Sequence, residues 1–343
     1  MLKDIYLSLA VAFLLVLGVF VLKSIAPALF PLYFVYIFIG LIAFWFFSQV
    51  DFDVISLFST HLYVLSIILL VATLVIGTVT RGTIRWIPIG PLTLQPAELV
   101  RPLLLVYFAV FLTREKLGLK SFAKAVLLLA LPAFLIFVQP SLGVAILTVI
   151  GFFGVLTASD FNKKYIFLGL GIVAVLLPLF FNLLAPYQKQ RLLTFVNPGS
   201  DPLGAGYNSL QSVIAAGSGK IFGKGLGRGI QTQLSFLPEK QTDFIFSATA
   251  EELGFIGAGL MLLATFIILF RLTVYMEKSI SPAARAYLAG FFLTYLAQVF
   301  IHAGMNMGFL PVTGLPFPLV SSGGSSLLAT LIGLGIAIGA YKK

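Results

Sequence analysis

The sequence predicts an all-α polytopic membrane protein. It reads as a single transmembrane domain over residues 1–343, with ten spanning helices, both termini cytoplasmic, and one long extracytoplasmic loop at 185–242 between helices seven and eight. Three observations carry this reading. The chain is 59% hydrophobic and 10% charged over 343 residues, whereas soluble domains are about a quarter charged. Its mean hydropathy is +1.07, and a water-soluble globule of this size cannot hide that much apolar surface, so the bilayer must be the solvent. Lys and Arg also gather on one side of the apolar stretches, as cytoplasmic loops require.

The apolar stretches run over residues 5–22, 32–47, 62–79, 97–112, 125–138, 142–156, 165–184, 244–270, 286–300 and 327–341. The first is too long for a signal peptide and lacks a small-residue cleavage site, so it reads as a span. The fifth and sixth are short and predict a tilted hairpin around Gln139, Pro140 and Ser141. With the N-terminus inside, the cytoplasmic side holds Lys3, Arg114, Lys116, Lys120, Lys124, Lys163, Lys164, Arg271, Lys278, Arg285, Lys342 and Lys343. The short outer loops hold only Lys23, Arg81 and Arg85. The net charge of +10 therefore belongs to loops that meet anionic lipid or phosphate, and nucleic acid is excluded as a partner. The absence of cysteine rules out disulfides, thiolate haem, iron–sulfur clusters and zinc ribbons, and two histidines cannot make a histidine-rich metal site.

Twelve acidic residues are few enough to inspect singly. Asp4, Asp51, Asp53, Glu115, Asp160 and Glu277 fall at cytoplasmic ends, where solvation explains them. Glu98, Asp201, Glu239, Asp243, Glu251 and Glu252 fall in spans, at span mouths or in the long loop, where ionisable groups are costly and usually functional. Glu98 and Arg101 lie three apart in QPAELVRP and share a helix face. They read equally as a self-neutralising structural pair or as part of a substrate cavity. Just upstream, Trp86 reads as an interfacial anchor, and Arg85 beside it is placed to touch a phosphate.

The long loop carries AAGSGKIFGKGLGRGIQTQLSFLPEKQTDFIF. Its glycines alternate with Lys220, Lys224 and Arg228, so backbone N–H groups and charge could together cradle an anion. The spacing is not that of a P-loop, and a basic loop against lipid headgroups accounts for it equally. The third cluster, HAGMNMGFLPVTGLPFPLVSSGGSSLL, is too rich in proline and glycine to stay helical. Irregular backbone at membrane depth must be buried in protein or line a wet cavity, so Ser321, Ser322, Gly323 and Gly324 are read as cavity wall and His302 as a satisfied polar residue.

QPAELVRP, DPLGAGYNSLQS, GKGLGRG, FLPEKQTDFIFSATAEELGFIG and GFLPVTGLPFPLVSSGGSSLL, in this order from Gln95 to Leu328, resemble the SEDS family (shape, elongation, division and sporulation). QTQLSFLPE and DPLGAGY favour its rod-shape branch over the division branch. The resemblance implies a peptidoglycan glycosyltransferase that polymerises lipid II, an undecaprenyl-pyrophosphate-linked disaccharide pentapeptide, at the outer face of the bacterial cytoplasmic membrane. It further implies a class B penicillin-binding protein and other elongation machinery as partners. The family's essential aspartate falls on Asp243, and its intramembrane acidic–basic pair on Glu98 and Arg101. Five positions depart from the family pattern: Arg101 for Lys, Ser141 for Asp, Ser322 for Tyr, Gln241 for His and His302 for Asn.

Polymerisation joins a sugar hydroxyl of one lipid-linked substrate to the anomeric carbon of another, with loss of the diphosphate lipid. An inverting displacement needs a base near the hydroxyl and positive charge near the diphosphate. Asp243 is the expected base, and Arg191, Lys220, Lys224, Arg228 and Lys240 are the expected cations. A divalent cation, Mg²⁺ or Mn²⁺, could share that task, although Asp243 alone makes a poor cage. Two other functions fit ten spans with broken helices: a lipid II flippase and a non-catalytic scaffold for wall synthesis. A division or sporulation paralogue is the alternative within the family.

Overall fold

The computed structural model describes residues 4–80, 83–114, 118–159, 186–197 and 204–341, with isolated positions at 167, 169, 171, 182 and 184. Eight helices are long and apolar enough to cross a membrane. They are α1 (Ile5–Ile25), α2 (Phe30–Gln49), α4 (Ser59–Ile76), α5 (Pro96–Arg114), α6 (Leu119–Val138), α11 (Ile245–Lys278), α12 (Pro282–Asn306) and α13 (Gly324–Tyr341). A shorter apolar helix, α7 (Leu142–Ala158), forms the hairpin with α6 expected around Gln139–Ser141. These account for nine of the sequence stretches. The seventh, residues 165–184, lies almost wholly outside the described residues, as do Asp201, Arg81, Lys163 and Lys164.

The remaining described elements are short. α3 (Phe52–Leu57) joins α2 to α4, and α8 (Pro186–Val196), α9 (Ala205–Ser218) and α10 (Ile230–Gln233) lie between the described ends of α7 and α11. The all-helical expectation needs one addition. An antiparallel three-stranded sheet, β1 (Thr78–Thr80), β2 (Thr83–Ile89) and β3 (Leu92–Leu94), separates α4 from α5. The hydropathy run to residue 79 is therefore not all helix, because Gly77 ends α4 and the β-branched Thr78-Val79-Thr80 takes up extended backbone. Trp86 pairs with Thr78 on one side of β2, and Ile87 with Leu94 on the other.

The helices pack through small residues, as expected where lipid offers no hydrophobic drive between them. α12 lies along α7 so closely that a Cβ added at Gly154 would stand 2.8 Å from the Cα of Gly290. α13 lies along α2, with Gly335 against the backbone of Phe44, and nearly every residue of α13 is buried. α13 is thus a central post, packed against α2, α5 and α12, and α12 packs in turn on α5 and α7.

At 34 residues, α11 exceeds the span predicted over 244–270. A helix rises about 1.5 Å per residue, so the whole of it is longer than a bilayer core of about 30 Å. The helix is broken at Gly254, whose φ of +71° and ψ of −168° are not helical. A side chain there would collide with the backbone of Gly223 and Ile221, which fold over the break. Asp4 also departs from expectation. Instead of lying solvated at a cytoplasmic end, it is buried, caps α1 through the N–H of Leu7 at 3.2 Å, and accepts Arg271 Nε at 2.6 Å and Tyr275 Oη at 2.5 Å.

Candidate functional site

A cavity of about 640 Å³ is lined by residues from seven separate segments. Arg85 and Trp86 enter from β2, Gln95 and Glu98 from the start of α5, and Pro140 to Val144 from the α6–α7 turn. Gln188, Arg191 and Leu192 come from α8, Glu239, Thr242 and Asp243 from the approach to α11, and Pro311 to Pro316 from the segment after α12. Gly323, Ser325 and Ser326 close it from α13 and the residue before it. Both cations and carboxylates therefore face one space, although they lie far apart in sequence.

Asp243 sits just before α11 but does not cap it. The cap position is Phe244, whose side chain makes no capping hydrogen bond. The carboxyl is left facing the cavity, where it is half-buried by accessibility yet enclosed by protein beyond its first contacts. That enclosure pushes its pKa above the ordinary aspartate value. Arg191 opposes the rise, Glu239 adds to it, and Arg85 and the Thr242 hydroxyl oppose it. Lys240, the cation nearest in sequence, is not among them.

The backbone leading into Asp243 is held at three successive carbonyls. Ser322 donates to Gln241 O through both N (2.9 Å) and Oγ (3.0 Å), and Ser321 Oγ donates to Thr242 O at 2.9 Å. Asn306 Nδ2 donates to Asp243 O at 2.9 Å. This corrects the reading of Ser321 and Ser322 as cavity wall, because their hydroxyls are committed to backbone. Gly324 is also not at the wall: a Cβ there would lie 2.3 Å from the ring of Tyr36. Gly323 does line the cavity. Gly314, with φ of +73°, turns the opposite wall so that a Cβ there would be 3.6 Å from both Asp243 Oδ2 and Arg191 Nη1.

The glycine-rich stretch binds an anion, but the anion is the protein's own. Glu251 accepts the N–H groups of Gln231 and Thr232, each at 2.9 Å, and Lys224 Nζ at 3.1 Å. Glu252 Oε1 accepts Ser24 Oγ at 2.9 Å, Gly227 N at 3.2 Å and Gln233 Nε2 at 2.9 Å. Lys240 donates to the carbonyl of Thr232, and burial lowers its pKa against the pull of Glu252 and Glu251. Lys220 and Arg228 are exposed and do not line the cavity. Of the candidate cations, only Arg191 and Arg85 reach it; Lys224 is taken by Glu251, Lys240 by the Thr232 carbonyl, and Lys220 and Arg228 lie exposed away from it.

Glu98 and Arg101 are both buried and bonded to each other. Glu98 faces the cavity, whereas Arg101 lies behind it and donates through Nη1 to Gln298 Oε1 at 3.1 Å. Gln298 then donates to Pro316 O at 2.9 Å and to Ser326 Oγ at 3.1 Å, which joins the pair to the cavity wall. Ser141 accepts Gln95 Nε2 at 3.1 Å, so a hydroxyl–amide contact stands where the family has a carboxylate. His302 is fully buried, with Nδ1 2.7 Å from Leu315 O and its ring edge-on to Phe317. Asn306, Gln298 and Gln95 were not singled out in sequence. Each is a polar residue within or beside an apolar stretch, which is the signal that could have found them.

Fold and site define a polytopic inner-membrane protein with a chamber at the mouth of its spans that bears both carboxylates and guanidiniums. The chain belongs to the cell cycle protein family FTSW_RODA_SPOVE, which matches residues 7–342. It is 40% identical over 282 residues to the peptidoglycan glycosyltransferase MrdB of Escherichia coli strain K12, covering 81% of this chain and 76% of that protein. It is 35% identical over 288 residues to the probable peptidoglycan glycosyltransferase FtsW of Aliivibrio salmonicida, covering 82% of this chain and 72% of that one. In three dimensions it resembles a chain from a peptidoglycan synthase complex, with a TM-score of 0.84 and 31% identity over 99% of this chain and 98% of that one. It also resembles the rod shape determining protein RodA of Thermus thermophilus, with a TM-score of 0.75 and 28% identity over 99% and 97% of the two chains.

Proposed function

We propose that this chain polymerises lipid II, with Asp243 as the general base and Arg191 and Arg85 facing the leaving diphosphate. Its activity is that of a peptidoglycan glycosyltransferase serving cell elongation, in the bacterial inner membrane. The observation that carries the residue roles is that Asp243, Arg191 and Arg85 line one cavity while the other candidate cations do not.

In the proposed step, Asp243 accepts the proton of the acceptor sugar's hydroxyl as its oxygen attacks the donor's anomeric carbon. The new C–O bond forms as the bond from that carbon to the phosphate oxygen breaks. The leaving diphosphate lipid carries away the electron pair, and the two guanidiniums stabilise its growing charge. A carboxyl with a raised pKa suits this task, because a base is most effective when its pKa approaches the working pH. Glu98 shapes the floor, and its bond to Arg101 fixes that carboxylate in place.

Among the described residues no group of three or more His, Cys, Asp or Glu could hold a metal ion. Glu239 and Asp243 nevertheless line the same wall, and Mg²⁺ or Mn²⁺ takes much of its shell from substrate phosphate and water. These two carboxylates are the residues that would hold such an ion, which would supply positive charge to the diphosphate.

The proposed partner is a class B penicillin-binding protein, together with other elongation machinery. The structural relative from a peptidoglycan synthase complex supports it. So does the apolar outer face of α11, where Phe255, Phe266 and Phe270 are exposed. Purified protein incubated with lipid II tests the reading: glycan strands are the expected product. Translocation across vesicles without polymer would favour a flippase, and neither outcome would leave a scaffold.

A further inference from the structure

A helix start usually satisfies its first N–H groups with the side chain of its own cap residue. α11 does not. Its cap is Phe244, and the N–H of Ser247 in the first turn is instead taken by Asn306 Oδ1 at 3.0 Å. Asn306 is the last residue of α12 and is fully buried. Its amide nitrogen turns the other way, donating to Asp243 O at 2.9 Å and to His302 O at 2.8 Å. Its own carbonyl accepts Ser212 Oγ at 3.0 Å and Ser247 Oγ at 3.3 Å. One side chain thus fixes the peptide of Asp243 and the first turn of the helix after it, while the main-chain carbonyl of the same residue ties both to α9.

We propose that Asn306 is a positioning residue for Asp243: by capping α11 from another helix, it releases the Asp243 carboxylate from the capping role that its sequence position invites and holds it toward the cavity. An aspartate just before a helix can bend its carboxylate back onto the first-turn N–H groups. Here Asn306 Oδ1 already occupies Ser247 N–H, and Asn306 Nδ2, which does not line the cavity, pins Asp243 O. The hydroxyls of Ser321 and Ser322 hold the two preceding carbonyls but leave α11 uncapped. Removing Asn306 therefore frees the Ser247 N–H to compete for Asp243. This inference rests on the reading of Asp243 as the base.

The test uses the full chain in detergent or nanodiscs with lipid II, and compares wild type, Asn306→Ala and Asp243→Asn. For Asn306→Ala the expected result is a loss of about 10- to 100-fold in kcat, the scale of a misplaced reacting group. KM should remain within about twofold, because no cavity-lining group is removed. The acid limb of its rate–pH profile should move to lower pH, since a carboxylate bonded to first-turn N–H groups is easier to ionise. Wild-type kcat, or equal changes in kcat and KM with an unmoved acid limb, would overturn the positioning role. If Asn306→Ala fails to accumulate in the membrane, Asn306→Leu replaces it. That variant keeps the side-chain volume and loses both the acceptor for Ser247 N–H and the donor to Asp243 O; the same kcat loss is expected, and wild-type kcat overturns the proposal. An active Asp243→Asn would instead remove the base assignment, and the positioning role with it. An inactive Asp243→Asn beside a wild-type-like Asn306→Ala would remove the positioning role alone.

Discussion

Lys224 Nζ lies 3.1 Å from Glu251 Oε1, so this cation of the glycine-rich stretch is neutralised by the protein itself instead of facing a substrate. Glu251 is fully buried and also accepts two backbone N–H groups, while Lys224 remains 27% exposed along its side chain. Removing one partner of a buried pair costs about 3–5 kcal/mol, but here the remaining lysine can reach water. Glu251→Ala should therefore destabilise the protein by about 3 kcal/mol, read by thermal unfolding in detergent, with the loss arising from freed N–H groups of the clasp. A melting temperature equal to wild type would show that the clasp contributes nothing to stability.

Asp243→Asn separates chemistry from architecture. The side chain caps nothing, and Asn306 supplies the first-turn acceptor. The substitution should leave stability within about 0.5 kcal/mol. Loss of a general base costs about 10²–10⁴-fold in rate. Membrane level, melting temperature and glycan strand formation measured on one preparation would decide it, and near-normal polymer would shift attention to Glu239 on the same wall.

Nine of the apolar stretches were legible as helices because hydropathy is additive along the chain and needs no tertiary information. Asp243 and Glu98 stood out because acidic residues are few enough to weigh singly, whereas Arg191 was one of five candidate cations and Arg85 a neighbour of Trp86, and only the cavity lining separates these two from the rest. The clasp was not. A glycine–lysine alternation announces an anion site, but which anion fills it depends on Glu251 and Glu252 returning across the Gly254 break, a tertiary fact. The small sheet was hidden for a different reason: β1 and β3 are three residues each, too short for an alternating pattern to emerge beside the apolar run of α4. Ser321 and Ser322 were placed in the right region but given the wrong role, because a hydroxyl that binds backbone and one that binds substrate look alike in sequence.

Asp4 makes stability depend on acid. Burial alone would raise its pKa, but Tyr275, the Leu7 N–H and Arg271 more than offset that, and the carboxyl is held below the ordinary aspartate value. A depressed folded-state pKa means stability that is fully present above the unfolded value of about 3.8 and lost as pH falls through the folded value. Wild type should lose melting temperature on acidification below that value more steeply than Asp4→Asn, which lacks the titrating group. At neutral pH, Asp4→Asn should already be less stable by about 1.5–3 kcal/mol, the scale of hydrogen bonds to a charged group. Parallel acid profiles for the two proteins would exclude this link.

Arg191 is the strongest of the charges that oppose the raised pKa of Asp243. It is held in place by a bond from Nη1 to Val312 O at 3.2 Å, on the wall that Gly314 brings against Asp243. Removing its charge as Arg191→Gln leaves burial and Glu239 less opposed, so the pKa of Asp243 should rise further. A base acts only when deprotonated, so the acid limb of the rate–pH profile should move to higher pH, and activity should fall more at acidic than at alkaline pH. Loss of diphosphate stabilisation alone would behave differently: it would lower the rate by a similar factor across the range and leave the limb in place. Arg191→Lys distinguishes the two further. It keeps the charge, and hence most of the effect on Asp243, but gives up the planar fork that suits a diphosphate. The expected pattern is a displaced limb for Arg191→Gln and a nearly wild-type limb, at reduced rate, for Arg191→Lys. An unmoved limb in Arg191→Gln would show that Arg191 serves the leaving group only, and Arg85, the other guanidinium opposing the rise, would be left to set the working pH of Asp243.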